Sequence, residues 1–185
     1  MIHNFAYPLC TQDGGSAGEI VVGTTRLETM LGDAAVVVHP EDERYAGLVG
    51  RFVVHPIHGC RLPVVADSEL VDMEMGSGAV KITPAHDPND FACAERHDLP
   101  VITMMDDEGC INSVGAGAAD SEFLGMDRFD ARTRLVEKLD EIGVYRGCDP
   151  HAMRLGLCSR SGDVIEPLVK PQVSSQPNPP VACDS

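Results

Sequence analysis

Hydrophobic positions along this chain fall in short runs broken by glycine and proline. "EIVVGTTR" (Glu19 to Arg26) predicts a strand after the turn-forming "QDGGSAG", and "LETMLGD" a short helix closing near Gly32. "AAVVVHP" is a continuous apolar run, as in a strand buried on both faces. "HPEDERYAGLVG" carries Pro40 at its start and Gly47 and Gly50 at its end, which predicts a helix of about two turns. "RFVVHPIHGCRLPVVAD" reads as two strands around a His-Gly turn, with Pro56 and Pro63 directing them to edge positions. "GAVKIT" is the next strand, "DPNDFACAERHDL" the next helix, and "VITMMDDEGCINS" a hairpin with Asp-Glu-Gly at its tip. "DRFDARTRLVEKLDEIG" gives the clearest helix, with Leu135, Leu139 and Ile142 on one face and Gly143 closing it. "LGLCSRSGDVIEPLVKP" reads as a final pair of short strands.

Strands outnumber helices, and the helices are short. The expected fold is a mixed α/β domain whose β-barrel-like core of short strands is flanked by short helices. The expected domain spans residues 1–172. The remainder, "VSSQPNPPVACDS" (173–185), is Pro/Ser-rich and aperiodic, as in a disordered tail.

Composition narrows the function. A length of 185 residues with 43% hydrophobic content can bury a sizeable core. The net charge of −15 speaks against a general DNA-binding or membrane-surface protein, since nonspecific nucleic-acid affinity comes from neutralising phosphates. The seven cysteines form no C-x-x-C pair, so neither a disulfide framework nor a zinc knuckle is expected. "MIHNFAYPLC" lacks the pattern of a signal peptide, and no run approaches the ~18 apolar residues of a membrane span. A soluble, cytoplasmic protein with reduced thiols is expected.

Candidate chemistry concentrates at two strand-to-helix junctions. In "GSGAVKITPAHDPND" (Gly76 to Asp90), period-two alternation puts Lys81 and Thr83 on one strand face. Pro84 ends the strand, Asp87 sits where an N-cap belongs, and Pro88 takes the first helical position. Asp87 and Asp90, three apart, can face one volume, while Gly76 and Gly78 allow close approach of a ligand or backbone. The second junction, "TTRLET" (Thr24 to Thr29), contains a T-x-x-E capping box in Thr25 and Glu28. Each stretch is compatible with plain capping. Together they suggest two helix N-termini, which favour developing negative charge, beside carboxylates that favour a cation. An aminoacyl ester offers both.

Other chemistries are weaker. His86, Asp90 and His97 form a conceivable metal set, but His86 precedes the N-cap and leaves the helical face. No P-loop, G-x-G-x-x-G or G-x-S-x-G elbow is present, and "GAGAAD" (Gly115 to Asp120) reads as a flexible loop.

"TTRLET" together with "GSGAVKITPAHDPNDF" resembles the editing domain of the class I aminoacyl-tRNA synthetases. In that family a T-x-R-P-[ED]-T segment faces a G-T-G-A-V…P-[AG]-H…D segment. The K-x-T-P-A-H-D-P-N-D form resembles the valyl type, as do "HPEDERY" and "SRSGDVIEPLVKPQ"; leucyl and isoleucyl types lack the lysine-threonine pair. The likeness covers roughly residues 1 to 172. Leu27 stands where the family often has proline and Ser77 where it often has threonine. After Gln172 the aromatic-rich strand of the family is replaced by "VSSQPNPP", and the synthetic signatures H-x-G-H and K-M-S-K-S are absent. The resemblance therefore implies an editing domain that does not itself activate an amino acid.

What the resemblance implies for the site is specific. Lys81, Thr83 and Asp87 would meet the side-chain hydroxyl of a mischarged threonine, and Asp90 its α-ammonium. Thr24, Arg26 and Thr29 would hold the carbonyl, the terminal ribose and the attacking water. His86, Thr25, Glu28 and Gly78 join the substrate-binding positions. No metal or other cofactor is expected. The implied partners are the 3′ end of tRNA(Val) carrying threonine, threonyl-adenylate, and a synthetic domain in cis. A metal-dependent hydrolase and a non-catalytic module binding threonine or tRNA ends are the alternatives.

Overall fold

The computed structural model describes residues 1–10, 18–118, 121–152 and 156–170; the expected boundary at 172 and the tail lie outside them. Two sheets carry the domain. In the first, β1 (Ile2–Pro8) lies between β2 (Glu19–Thr24) and β7 (Tyr145–Asp149), antiparallel to both. The second has the order β4-β5-β3-β6, from β4 (Phe52–Val54), β5 (Arg61–Ala66), β3 (Ala35–Val38) and β6 (Ala79–Ile82). Only the β3–β5 pair is parallel. A Leu9–Val53 bridge joins the sheets, and β2 lies alongside β6. Among the described residues the strands form two sheets and no closed barrel, so the barrel-like expectation holds only loosely.

The apolar runs account for the layers. β3 is buried at all four positions, as a run without alternation requires. Its Val36 and Val38 join Phe5, Tyr7, Val22 and Val64 in the main core, while Ala35 and Val37 pack on Ile82, Val71 and Cys93. α3 (Arg128–Glu141) adds Leu135 and Leu139 to the main core. Its predicted third contact, Ile142, is instead the C-cap and 45% exposed, because the helix ends one turn too early to bury it. α1 (Pro88–His97) follows β6 as expected, and a single-turn α2 (Ser113–Ala116) takes up Gly115 and Ala116, the first two residues of the glycine-rich stretch read as loop.

Several local expectations give way to turn chemistry. "HPEDERYAGLVG" forms turns rather than a helix. Its internal backbone bonds run i to i+3 (Asp42 to His39, Tyr45 to Asp42, Leu48 to Tyr45), Gly50 N–H donates to the Val64 carbonyl, and the Asp42 side chain accepts the Arg44 N–H at 3.0 Å. Pro63 lies in β5, an internal strand. The β3 ladder begins one residue later, at Val64, so the missing N–H interrupts no β3 pairing. The expected hairpin around Asp106–Gly109 and the expected final strand pair are reduced to isolated bridges, Met105–Ile111 and Leu157–Val164.

Candidate active site

Both junctions open onto one cleft. β2 runs through Thr24 into a 3-10 helix, Leu27–Gly32, and β6 runs through Thr83 and Pro84 into α1. Between them lies a cavity of about 230 Å³, lined by Thr24, Thr25, Arg26, Thr29, Lys81, Asp87 and Asp90, with Ile2, Gly23 and Val80 at its margin. Seven positions singled out from sequence thus converge from two elements far apart in the chain.

The two helix starts are built differently. At α1 the cap is as the sequence indicates: Asp87 accepts from the Asn89 N–H at 2.9 Å and the Asp90 N–H at 3.4 Å, with Pro88 following. Asp90 does not close a capping box; its Oδ2 accepts the Thr83 N–H at 2.8 Å, clamping the end of β6 to the first turn of α1. At the 3-10 helix the T-x-x-E box is absent. The N-cap residue is Arg26, with no side-chain cap, because the Glu28 carboxylate is drawn away to Arg132. There, Thr29 Oγ1 donates to the Arg26 carbonyl at 2.8 Å and Thr24 Oγ1 accepts the Arg26 N–H at 3.2 Å.

A closed polar network forms the cleft floor. Lys81 Nζ donates to Thr29 Oγ1 at 2.8 Å, Asp33 Oδ1 at 2.9 Å and Thr83 Oγ1 at 2.6 Å. Thr83 Oγ1 in turn donates to Asp33 Oδ1 at 2.8 Å, and Tyr7 Oη donates to Asp33 Oδ2. All five side chains are buried. The ammonium's three N–H bonds are spent on protein acceptors, so its charge is matched and its direction fixed. Burial, reinforced by Asp33, pushes the Tyr7 phenol well above its ordinary value and keeps it a donor. Lys81 and Thr29 reach the cleft surface, while Thr83 and Asp33 lie beneath them.

Asp90 stands at the cleft wall. Burial raises its carboxyl to about 6, outweighing the opposing Thr83 N–H and Lys81 ammonium. A carboxylate held partly out of water is a receptor for a cation that arrives with its ligand. Arg26 ties the two junctions together, donating from Nη2 to the His86 carbonyl at 2.9 Å and lying 3.5 Å from Asp87 Oδ2. Its Nη1 is held by Glu166 at 2.7 Å.

Four sequence candidates do not line this cleft; one of them is Thr83, which lies beneath its floor. Glu28 is buried in a two-bond pair with Arg132, both contacts at 2.6 Å. Gly78 has a φ of +73° and packs under Arg44, whose Nη2 would sit 2.2 Å from an added Cβ; the glycine admits a guanidinium rather than a ligand. His86 is fully buried, its Nε2 accepting the Met104 N–H at 3.2 Å and its Nδ1 facing Glu166 Oε1 at 3.6 Å.

The conceivable metal set His86, Asp90, His97 is also scattered, since His97 donates to Asp67 at 2.9 Å and Asp90 binds the Thr83 N–H. Among the described residues Asp67, Cys93 and His97 do cluster with metal-ligand reach. Arg96 already occupies the carboxylate, with Nε at 2.9 Å and Nη2 at 2.8 Å from Asp67 Oδ2. A larger cavity of about 420 Å³ lies beyond His86 and Glu166, walled by Asp106, Asp107, Glu108, Asp127 and Asp163. Its excess of carboxylates disfavours an ester oxyanion or a phosphate.

Sequence reasoning missed Tyr7, Asp33 and Glu166. Asp33 ends "LGD" and Glu166 sits in "VIEP", stretches with no motif pointing inward. Tyr7 belongs to β1, whose alternation was read only against a signal peptide.

Comparison with known proteins bears on the family and the fold. Residues 41–126 match the family model of the leucyl-tRNA synthetase editing domain. The chain is 52% identical over 172 residues to mitochondrial valine–tRNA ligase 1 of Arabidopsis thaliana, covering 93% of this chain and 15% of that protein. It is 53% identical over 173 residues to valine–tRNA ligase of Caenorhabditis elegans (93% and 16%) and 49% identical over 169 residues to that of Homo sapiens (91% and 13%). It therefore spans less than a fifth of these relatives' length. The crystal structure of GlLeuRS-CP1 superposes with a TM-score of 0.60 at 13% identity, covering 81% of this chain and 100% of that one. At that identity the likeness concerns the fold alone.

Proposed function

This chain belongs to the editing domains of the class I aminoacyl-tRNA synthetases, and among them to the valyl type, and from that premise we propose that it hydrolyses threonine wrongly esterified to tRNA(Val). The observation that carries the reading is the pairing, in one cleft, of a hydroxyl-rich floor around Lys81 with the partly buried carboxylate of Asp90.

The selection follows from polar satisfaction. Threonine is nearly isosteric with valine, so an apolar synthetic pocket separates them only about a hundredfold, the established value for valyl enzymes. The editing cleft inverts the choice. A threonine hydroxyl can donate to the open lone pair of Thr29 Oγ1 or to Asp87, or take one of the Lys81 N–H bonds in exchange. Valine can do none of these and would leave polar groups desolvated and unpaired, at about 1–3 kcal/mol each. Thr83 acts from beneath, holding the Lys81 ammonium in line, and Asp90 receives the α-ammonium.

The ester is then hydrolysed mainly by positioning and electrostatics. Arg26 and the Thr24 and Thr29 hydroxyls lie on the opposite wall from Asp90, where they would hold the ester carbonyl, the terminal ribose and a water between them. Water adds to the carbonyl carbon, the tetrahedral oxyanion is stabilised by the Arg26 side, and the ribose oxygen leaves with a proton to give free threonine and tRNA. The 3′ end of the tRNA and a synthetic domain in cis are the corresponding partners, and threonyl-adenylate offers the same aminoacyl group.

The test is deacylation of Thr-tRNA(Val) against Val-tRNA(Val) in the presence of chelator, for this chain and for Asp90→Ala. Selective loss of threonine that disappears in the variant is expected. Equal rates for both esters, or an unimpaired variant, would overturn the reading.

A further inference from the structure

Glu166 lies 140 positions from Arg26 in sequence, yet its Oε1 accepts from Arg26 Nη1 at 2.7 Å. Its Oε2 accepts from Arg128 Nη1 at 3.0 Å, so one carboxylate bridges two guanidinium groups. The segment carrying it is pinned on both sides. The Val164 carbonyl accepts from Arg128 Nη2 at 2.6 Å, the Val169 N–H donates to the Ala85 carbonyl at 2.9 Å, and Lys170 pairs with Asp107. The carboxylate is only 15% exposed. None of this is needed to close the core, since residues 164–170 contribute no side chain to either apolar cluster.

The electrostatics of the cleft indicate what Glu166 does. Arg26 faces Asp87 at 3.5 Å and shares the cavity with Asp90. Left to those two carboxylates, the guanidinium would swing into the cleft and neutralise the groups meant for the substrate. Glu166 pulls from the other side at shorter range, with Nη2 latched on the His86 carbonyl at 2.9 Å. A two-point hold of this kind fixes a planar guanidinium in orientation as well as in place.

We propose that Glu166 is a positioning residue for the editing reaction, holding Arg26 on the cleft wall, limiting its approach to Asp87 to 3.5 Å and keeping it off Asp90. This rests on the reading of Arg26 as part of the hydrolytic site. Because the carboxylate is carried by a surface-following segment rather than by a sheet or helix, the site is complete only when residues 164–170 lie in their pinned course. Displacements of about 1 Å at such a group can cost up to a hundredfold in rate.

The test is a double-mutant cycle on Thr-tRNA(Val) deacylation by the full chain, comparing Glu166→Gln, Arg26→Ala and both together. Glu166→Gln is expected to lower kcat roughly ten- to hundredfold with KM changed much less. In the Arg26→Ala background it should cost less than about twofold further, because its effect is already spent. Arg128→Ala removes both the second Glu166 contact and the Val164 pin without touching Arg26, so it should lower kcat in the same direction as Glu166→Gln and likewise cost less than about twofold further in the Arg26→Ala background. Losses that multiply in the double variant, or a normal kcat in Glu166→Gln, overturn the inference while leaving the Arg26 reading intact. A silent Arg26→Ala overturns both.

Discussion

Lys81 Nζ lies 2.9 Å from Asp33 Oδ1, with the two side chains 6% and 0% exposed, and among the described residues that carboxylate is the only acidic group bonded to the ammonium. Thr29 and Thr83 supply hydrogen bonds but no charge. Removing one partner of a buried pair leaves an uncompensated charge, which typically costs about 3–5 kcal/mol. Asp33→Asn should therefore lower stability by about that amount and abolish the proposed preference for threonine. Lys81→Met combined with Asp33→Leu should be less destabilising than Asp33→Asn, since no charge stays buried. Urea unfolding of the three proteins checks the ordering, and an unchanged midpoint for Asp33→Asn would remove the argument.

Asp90 predicts opposite pH trends for stability and activity. Its carboxyl is raised by burial to about 6, above the ordinary value near 3.9, so the folded chain holds this proton more tightly than the unfolded one. The Asp90 contribution to stability is thus greatest below about pH 4 and is lost as pH rises through about 6. Deacylation needs the ionised form and should rise about tenfold per unit up to about pH 6, then level off. Asp90→Asn should flatten both profiles. A kcat/KM profile corrected for spontaneous hydrolysis, with a parallel series of melts, reads both trends.

Glu28 is expected to be structural. Its buried carboxylate makes two 2.6 Å bonds to Arg132, joining the 3-10 helix to α3. Arg132 is 28% exposed at its side chain, so solvent screening should bring the loss in Glu28→Gln to or just below the low end of the buried-pair range, about 2–3 kcal/mol. The ratio of threonine to valine release should stay within about twofold of wild type, because Glu28 does not line the cleft. A selective collapse of threonine release at unchanged stability would return Glu28 to the substrate site.

The Asp67–Cys93–His97 cluster should not take up metal. Burial alone would raise the Asp67 carboxyl, but hydrogen bonds from Arg96 and His97 hold it well below the usual carboxylate range. Burial and the nearby Asp67 push the Cys93 thiol up to about 12, far from the thiolate a soft metal requires. Zinc should leave the melting temperature unchanged, and Cys93 should resist thiol reagents at pH 8 until the chain unfolds. A zinc-dependent rise in melting temperature, absent in His97→Ala, would show the contrary.

Much of the fold's local grammar was legible because it depends on neighbours in sequence. The burial of β3 follows from four consecutive apolar residues, and the start of α1 from Asp87 and Pro88. Lys81 and Thr83 were placed on one face by alternation alone, and their 2.6 Å bond shows that face to be real. Where local signals conflicted, propensity lost. "HPEDERYAGLVG" has helical punctuation, but the Asp42 side chain offers its backbone a turn instead. Thr25 and Glu28 spell a capping box, but a partly exposed arginine 104 positions away offers the buried Glu28 carboxylate a stronger bond than a helix N–H.

The sequence by itself determined which residue types stand at the two junctions, and its identity to valine–tRNA ligases fixed the family. Only the tertiary structure decided what those residues do to one another. The Lys81 ammonium is oriented by Asp33, itself held by the Tyr7 hydroxyl, and Arg26 by Glu166, across separations of 48 and 140 positions for the two ion pairs. Charges buried in a low dielectric must find partners wherever the chain brings them, and long-range pairing of that kind leaves no periodicity or spacing to read. The motif supplied the groups that face the cleft, and packing supplied the countercharges that hold them there.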